Sequence, residues 1–302
     1  MVLRRSISTV SLGLVVLVLG CATQRASLSA AMPRGGASLT AADESLADEL
    51  CLFGMPAHES DWERGSTRVV VRAGYALEHA DVEKIPVWVC ERVKKAHTSG
   101  TADRNRCSFK PEYEIAKGAR AELADYKGSG FDRGHQAPAA DFKYDQDRMR
   151  ESFVLSNVAP QVGSGFNRGI WRVLEQRVRA CVDCRGEVYV ITGPLFCAPD
   201  EDGPQAAHES IGQNRVAVPT HFYKILVARN VAGAWEAVAF VLENQKHAKE
   251  KDAEYSFAGY VKPIDWIEET TGLNFMPDLD TDDPALEERL ERKANPVWPC
   301  LN

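Results

Sequence analysis

The chain has 302 residues, 44% hydrophobic and 26% charged, with 36 Lys+Arg against 43 Asp+Glu for a net charge of -7. These are the proportions of a globular protein long enough to bury a full core; 22 Gly and 15 Pro without any repeat exclude collagen-like, solenoid and wholly disordered chains. The acidic balance speaks against a protein that coats nucleic acid, because such proteins carry a basic footprint.

In chain order, Arg4 and Arg5 precede an apolar run from Val10 to Leu19, broken only by Ser11 and Gly13 and too short to span a bilayer comfortably. It ends Val18-Leu19-Gly20-Cys21, which resembles a bacterial lipobox. That resemblance implies a signal peptide over residues 1–20, acylation of Cys21, and an exported lipoprotein anchored to the cell envelope, at the outer membrane or a periplasm-facing membrane. The alternative is an ordinary secretory peptide cleaved a little further on. Export removes Arg4 and Arg5, so the mature charge becomes 34 minus 43, or -9. Eight Cys less Cys21 leaves seven: Cys51, Cys90, Cys107, Cys181, Cys184, Cys197 and Cys300. In an oxidising compartment these allow three disulfides and one free thiol, with connectivity open.

Residues 21–50, rich in Ala, Ser, Gly and Thr, read as the lipidated Cys and a flexible tether with room for a short helix. A domain over 51–275 follows, then an acidic, Pro-interrupted tail over 276–302. Val69-Val70-Val71, Tyr75-Ala76-Leu77 and Pro86-Val87-Trp88-Val89 read as strands. Residues 98–112 read as loop, 119–126 as loop or a short helix, and Lys127-Gly128-Ser129-Gly130 as a tight turn. From Phe166 a helix is expected, with Trp171, Leu174 and Val178 on an apolar stripe and Arg168, Arg172, Glu175 and Arg179 on a charged one. Asn167 stands at its cap position, and Gly169 predicts a late start. Val188 to Pro194, His221 to Val227 and Ala237 to Leu242 read as strands, and Ile264 to Glu269 as a helix. The mixture lacks a regular βαβ alternation and predicts an α+β fold.

Three polar clusters can carry chemistry. Asp132-Arg133-Gly134-His135 sets a histidine on a backbone-exposed segment, which suits a general base. Ser156-Asn157-Val158-Ala159-Pro160-Gln161 offers amides that orient or ligate but cannot titrate. Asn167 offers a hard neutral oxygen suited to Mg²⁺, with Glu175 two turns on to hold the ion's waters; the plainer reading makes Asn167 a helix cap and Glu175 an ion-pair partner of Arg172 or Arg179.

Taken together, these clusters with Val188-Tyr189-Val190-Ile191-Thr192-Gly193-Pro194-Leu195-Phe196 resemble the DNA/RNA non-specific endonuclease family, in particular its endonuclease G branch. Ala102-Asp103-Arg104, Ala124 to Gly130 and Val216 to Phe222 extend the likeness, which covers about residues 53–275. The resemblance implies a ββα-metal (His-Me finger) fold, two strands and a helix over one divalent cation, on a central, mostly antiparallel sheet flanked by helices. It implies that His135 deprotonates the attacking water, Asn167 ligates the metal, Glu175 orients water on it, and Arg104 stabilises the phosphate, with Arg106 as the fallback. It assigns Asn157 to support of the histidine or the phosphate, and Asp132, Arg133 and Gly134 to shaping the site. The metal implied is Mg²⁺, with Mn²⁺ as the other candidate. The partners implied are DNA and RNA, the membrane through Cys21, and a second copy of the chain, since relatives often dimerise.

A neutral imidazole at His135 predicts activity that falls as pH drops through its pKa. Nothing in this scheme reads a base edge, so cleavage is expected to be indifferent to sequence. The competing reading is a catalytically silent envelope protein that keeps the fold for binding. Cys181-Val182-Asp183-Cys184 suggests a redox motif or half of a zinc site, but no second Cys-x-x-Cys exists and a disulfide is the favoured reading. Residues 160–180 carry Arg168, Arg172, Arg177 and Arg179 against Glu175 alone, four minus one or +3, a basic patch on an acidic body.

Overall fold

A computed structural model describes residues 38–59, 65–197, 208–248, 251–279 and 284–301. The expected signal peptide, Cys21 and the tether up to residue 37 lie outside the described residues.

The apolar runs become strands buried on both faces. Along His221–Arg229, Phe222, Leu226 and Ala228 enter one core while Tyr223, Ile225 and Val227 enter another. In chain order the elements that matter are α1 (Ala41–Leu50), β1 (Thr67–Val71), β2 (Tyr75–Ala80), β3 (Ile85–Lys94), β4 (Phe131–His135), α2 (Gln146–Glu151), β5 (Val158–Val162), α3 (Trp171–Arg185), β6 (Glu187–Leu195), β7 (His221–Arg229), β8 (Trp235–Glu243), β9 (Val261–Lys262) and α4 (Ile264–Thr271). A seven-stranded sheet runs β9-β8-β7-β6-β3-β2-β1, with every neighbouring pair antiparallel. The fold is α+β, as expected, and among the described residues no helix is long and apolar enough to cross a membrane.

One face of the sheet is covered by α3 through Trp171, Leu174, Val178 and Val182, together with the separate β4–β5 pair. The other is covered by α1 and α4 through Ala47, Leu50, Ile264 and Ile267. Part of the expected tether is therefore folded. Thr40 and Asp43 form a reciprocal cap, the Asp43 N–H donating to Thr40 Oγ1 at 3.2 Å and the Thr40 N–H to Asp43 Oδ2 at 3.1 Å, and the helix docks on the sheet.

The tail is folded too. Leu290, Trp298 and Leu301 are buried, and Cys300 is disulfide-bonded to Cys181. The Cys181-to-Cys184 segment is thus neither a redox pair nor half a zinc site; Cys184 is an exposed thiol, and the bridge ties the end of the chain to α3. Closing a loop of 119 residues restricts the unfolded chain strongly.

The helix expected from Phe166 starts at Trp171, late as Gly169 predicts. Gly163–Ile170 before it is a wide turn in which Ser164, Gly165 and Gly169 leave helical geometry, Gly165 at φ 90° against the His247 backbone. Asn167 therefore caps nothing: the residue before α3 is Ile170 and no side chain bonds there. That correction frees its amide for other work.

Candidate active site

β4 and β5 pair antiparallel with His135 opposite Val158 and Gly134 opposite Ala159, and the chain then turns through Asn167 into α3. Gly134 is required by space, since a Cβ there would stand 2.2 Å from the buried Gln161 side chain. Gly128 and Gly130 turn the chain into β4 with φ of 72° and 88°.

His135 is buried between two phenyl rings, Phe109 at 5.0 Å and Phe153 edge-on at 4.8 Å between centroids. Its Nε2 has no hydrogen-bond partner. Burial first, then the charges of Arg104 and Arg133, push its pKa down to about 3. Both guanidiniums are seated on the same rings, Arg133 over Phe109 at 4.4 Å and Arg104 over Phe153 at 5.1 Å. The imidazole is neutral across physiological pH, so the expected loss of activity near the ordinary histidine pKa moves to lower pH.

Asn157 is fully buried and its amide is consumed internally. Oδ1 accepts from the Ala137 N–H at 2.9 Å, and Nδ2 donates to the Ala137 and Ser152 carbonyls, both at 2.9 Å. Its own carbonyl accepts from the Gln136 N–H at 2.9 Å. Asn157 thus clamps the segment leaving His135, and its amide is taken up by protein groups.

Asp132 ties the halves of the module together. Asn167 Nδ2 donates to Asp132 Oδ2 at 2.8 Å, and Arg168 Nη1 donates to Oδ1 at 2.5 Å. With its nitrogen held, Asn167 presents Oδ1, which meets no protein donor among the described residues. This neutral oxygen fits a hard divalent cation that keeps most of its waters. No group of three or more His, Cys, Asp or Glu able to hold a metal occurs among the described residues.

Glu175, partly buried on α3, pairs with neither Arg172 nor Arg179, which bond to Asp252 and Asp141 at 2.7 Å each. Burial pushes its carboxyl up to about 7, against the pull of Lys224 and Arg179 and with the push of Asp141. Arg104 also acts on Glu175, so one exposed guanidinium addresses both His135 and Glu175. Arg104 is also seated on Phe153, one of the two rings that flank His135. Lys224, Glu91, Asp141, Phe109 and Phe153 were not singled out from sequence. Lys224 had a signal, a cation in the middle of the apolar run Phe222 to Val227. The alternation of β7 turns it toward α3, where Nζ donates to Thr192 Oγ1 at 2.6 Å and sits 5.0 Å from the Trp171 ring. Glu91, also buried, is held well above the carboxylate range by desolvation and the nearby Asp141.

A sequence model of the DNA/RNA non-specific endonuclease family matches residues 60–282. The chain belongs to that family. Among this nuclease's relatives, human mitochondrial endonuclease G is 36% identical over 233 residues, 76% of this chain and 74% of that one. Nuclease C1 of Cunninghamella echinulata is 34% identical over 236 residues, covering 77% and 89%. The mitochondrial nuclease of Saccharomyces cerevisiae is 40% identical over 201 residues, covering 63% and 60%. A crystal structure of an EndoG/EndoGI complex, described as showing the mechanism of EndoG inhibition, superposes with a TM-score of 0.69 at 32% identity, covering 80% of this chain and 94% of that one. The protein is a non-specific endonuclease of DNA and RNA, and nothing favours a catalytically silent alternative. The net charge of -7 therefore does not exclude nucleic acid as a substrate.

Proposed function

We propose that this nuclease hydrolyses phosphodiesters at the β4–β5–α3 module with His135 as general base and one divalent cation, Mg²⁺, held by Asn167. The observation that carries the reading is the Asp132 contact, which fixes the Asn167 nitrogen and leaves its oxygen presented on the module that carries His135. His135, neutral and unbonded at Nε2, takes a proton from water as it attacks phosphorus. Arg104 neutralises a nonbridging phosphate oxygen, and its stacking on Phe153 holds the guanidinium ready. A bound cation supplies charge neutralisation on the phosphate and stabilises the departing 3′-oxygen. Glu175 accepts hydrogen bonds from water in the site, and Asn157 keeps the His135 segment in register. None of these groups addresses a base edge, which fits cleavage without sequence preference.

The assignment is tested with the purified full chain, plasmid and RNA. Cleavage should vanish in EDTA and return with Mg²⁺, and Asn167→Ala should require far more metal than wild type. Cutting in EDTA, or an unchanged metal requirement in Asn167→Ala, contradicts it; restoration by Mn²⁺ alone replaces the ion and keeps the site. The reading also includes export: residues 1–20 direct secretion, and Cys21 anchors the enzyme to the envelope. Cys21→Ser should release the protein from membranes, and an unchanged membrane fraction overturns the anchor.

A further inference from the structure

Two cysteines far from the site in sequence meet in the core beneath α1. Cys51 follows the last turn of α1, its N–H bonded to the Ala47 carbonyl at 2.8 Å. Cys90 lies in the middle of β3, paired with Ala76 on one side and Ile191 on the other. α1 packs against β1, β2 and β3, and this docking puts the two thiols in one buried cluster, where Cys51 acts on the Cys90 thiol. They are 1% and 0% exposed, in one cluster with Leu50, Ala76 and Trp88.

We propose that Cys51 and Cys90 are a second disulfide site, closed by exchange with a small disulfide such as oxidised glutathione while the chain folds. One protein thiolate attacks the donor, forming a mixed disulfide and expelling one glutathione thiolate. The second protein thiolate attacks the protein sulfur of that intermediate, closes the Cys51–Cys90 bond and expels the second glutathione. The protein loses two hydrogens, as two protons and two electrons, and the donor becomes two thiols.

Burial dictates when this happens. The apolar surroundings, reinforced by the neighbouring Cys51 sulfur, hold the Cys90 thiol well above its ordinary range, so docked Cys90 offers almost no thiolate, and burial closes both sulfurs to a donor. Closure therefore precedes the final docking of α1, and the finished bond is equally shielded from reductants. The product staples the first described helix to the sheet, as Cys181–Cys300 staples the last segment to α3. The first and last described helical segments are then each tied covalently to the core. Cys184, on α3, remains an exposed free thiol.

The test begins with the full chain, denatured, reduced, and refolded in a glutathione redox buffer. Free thiols are alkylated and the protein is digested without reduction. Mass mapping should recover Cys51 and Cys90 in one linked peptide pair, beside Cys181–Cys300. Recovery of both as alkylated thiols while Cys181–Cys300 forms, or linked to other cysteines, overturns the proposal. Addition of the same donor to folded, reduced protein should close the pair at least tenfold more slowly than refolding does. In oxidised protein, Cys51→Ala or Cys90→Ala should lower Tm by roughly 5 °C or more, and the double variant by no more than either single. Additive losses contradict a shared bond, and the wild-type map decides the matter if a variant fails to fold.

Discussion

His79 on β2 and His135 on β4 are both buried, and both imidazoles titrate far below the ordinary 6.5, at about 4 and about 3. Their surroundings differ in kind. His79 Nε2 bonds to the Ala119 carbonyl at 2.9 Å, and the charges acting on it are mixed, Asp81 and Glu112 against Arg68. His135 Nε2 has no hydrogen-bond partner, and the charges acting on the ring are both cations. An imidazole tied to a carbonyl at Nε2, though unpartnered at Nδ1, among charges of both signs is structural. An unbonded one between Arg104 and Arg133 has everything except the anion those charges await. Binding a phosphodiester there supplies negative charge and raises the imidazole's affinity for a proton.

The largest expected contrast comes from removing each imidazole. His135→Ala should lower kcat by about 10²–10⁴-fold with the fold retained. His79→Ala should lower Tm while leaving cleavage per folded molecule near wild type. Equal effects of the two on kcat would erase the distinction. Next, Asp132→Ala frees the Asn167 amide to rotate; the Mg²⁺ concentration for half-maximal cleavage should rise about 10–100-fold, as for partners that orient a metal ligand. An unchanged Mg²⁺ titration would show that Asn167 needs no such support. Arg104→Ala should cost more activity than Arg106→Ala, because only the former is seated on Phe153 beside the base.

A smaller effect is set by proton linkage. As pH falls from about 6.5 toward 4, the unfolded chain takes protons at both histidines and the native state refuses them, so stability falls. Glu175, Glu268 and Glu291, raised from 4.5 to about 7, 7 and 8, act in the opposite sense, losing native stability as pH rises from 4.5 to those values. The comparison of wild type with His79→Gln isolates the histidine part: the variant's urea midpoint should depend less on pH between 7 and 5. Parallel curves would mean that His79 protonates alike in both states.

Much of the site was legible because it is local. His135, Asn157, Asn167 and Glu175 sit in short motifs, and the double burial of the central strands shows in runs such as Phe222 to Val227. What was illegible depends on contacts distant in sequence. Nothing near Asn167 says that Asp132, 35 residues earlier, takes its nitrogen, so it read as a cap. The Phe109 and Phe153 rings around His135 come from separate segments. The tail looked detachable because its acidic residues hide three apolar anchors, Leu290, Trp298 and Leu301, and a disulfide across 119 residues.

The central claim is that the unbonded His135 is the base. Its most direct test is cleavage of plasmid DNA in Mg²⁺ by His135→Ala with and without added imidazole, beside wild type at matched folded concentration. The account predicts loss of about 10²-fold or more and partial recovery with imidazole that follows the free-base concentration as pH is varied. Wild-type rates in His135→Ala without imidazole would contradict it.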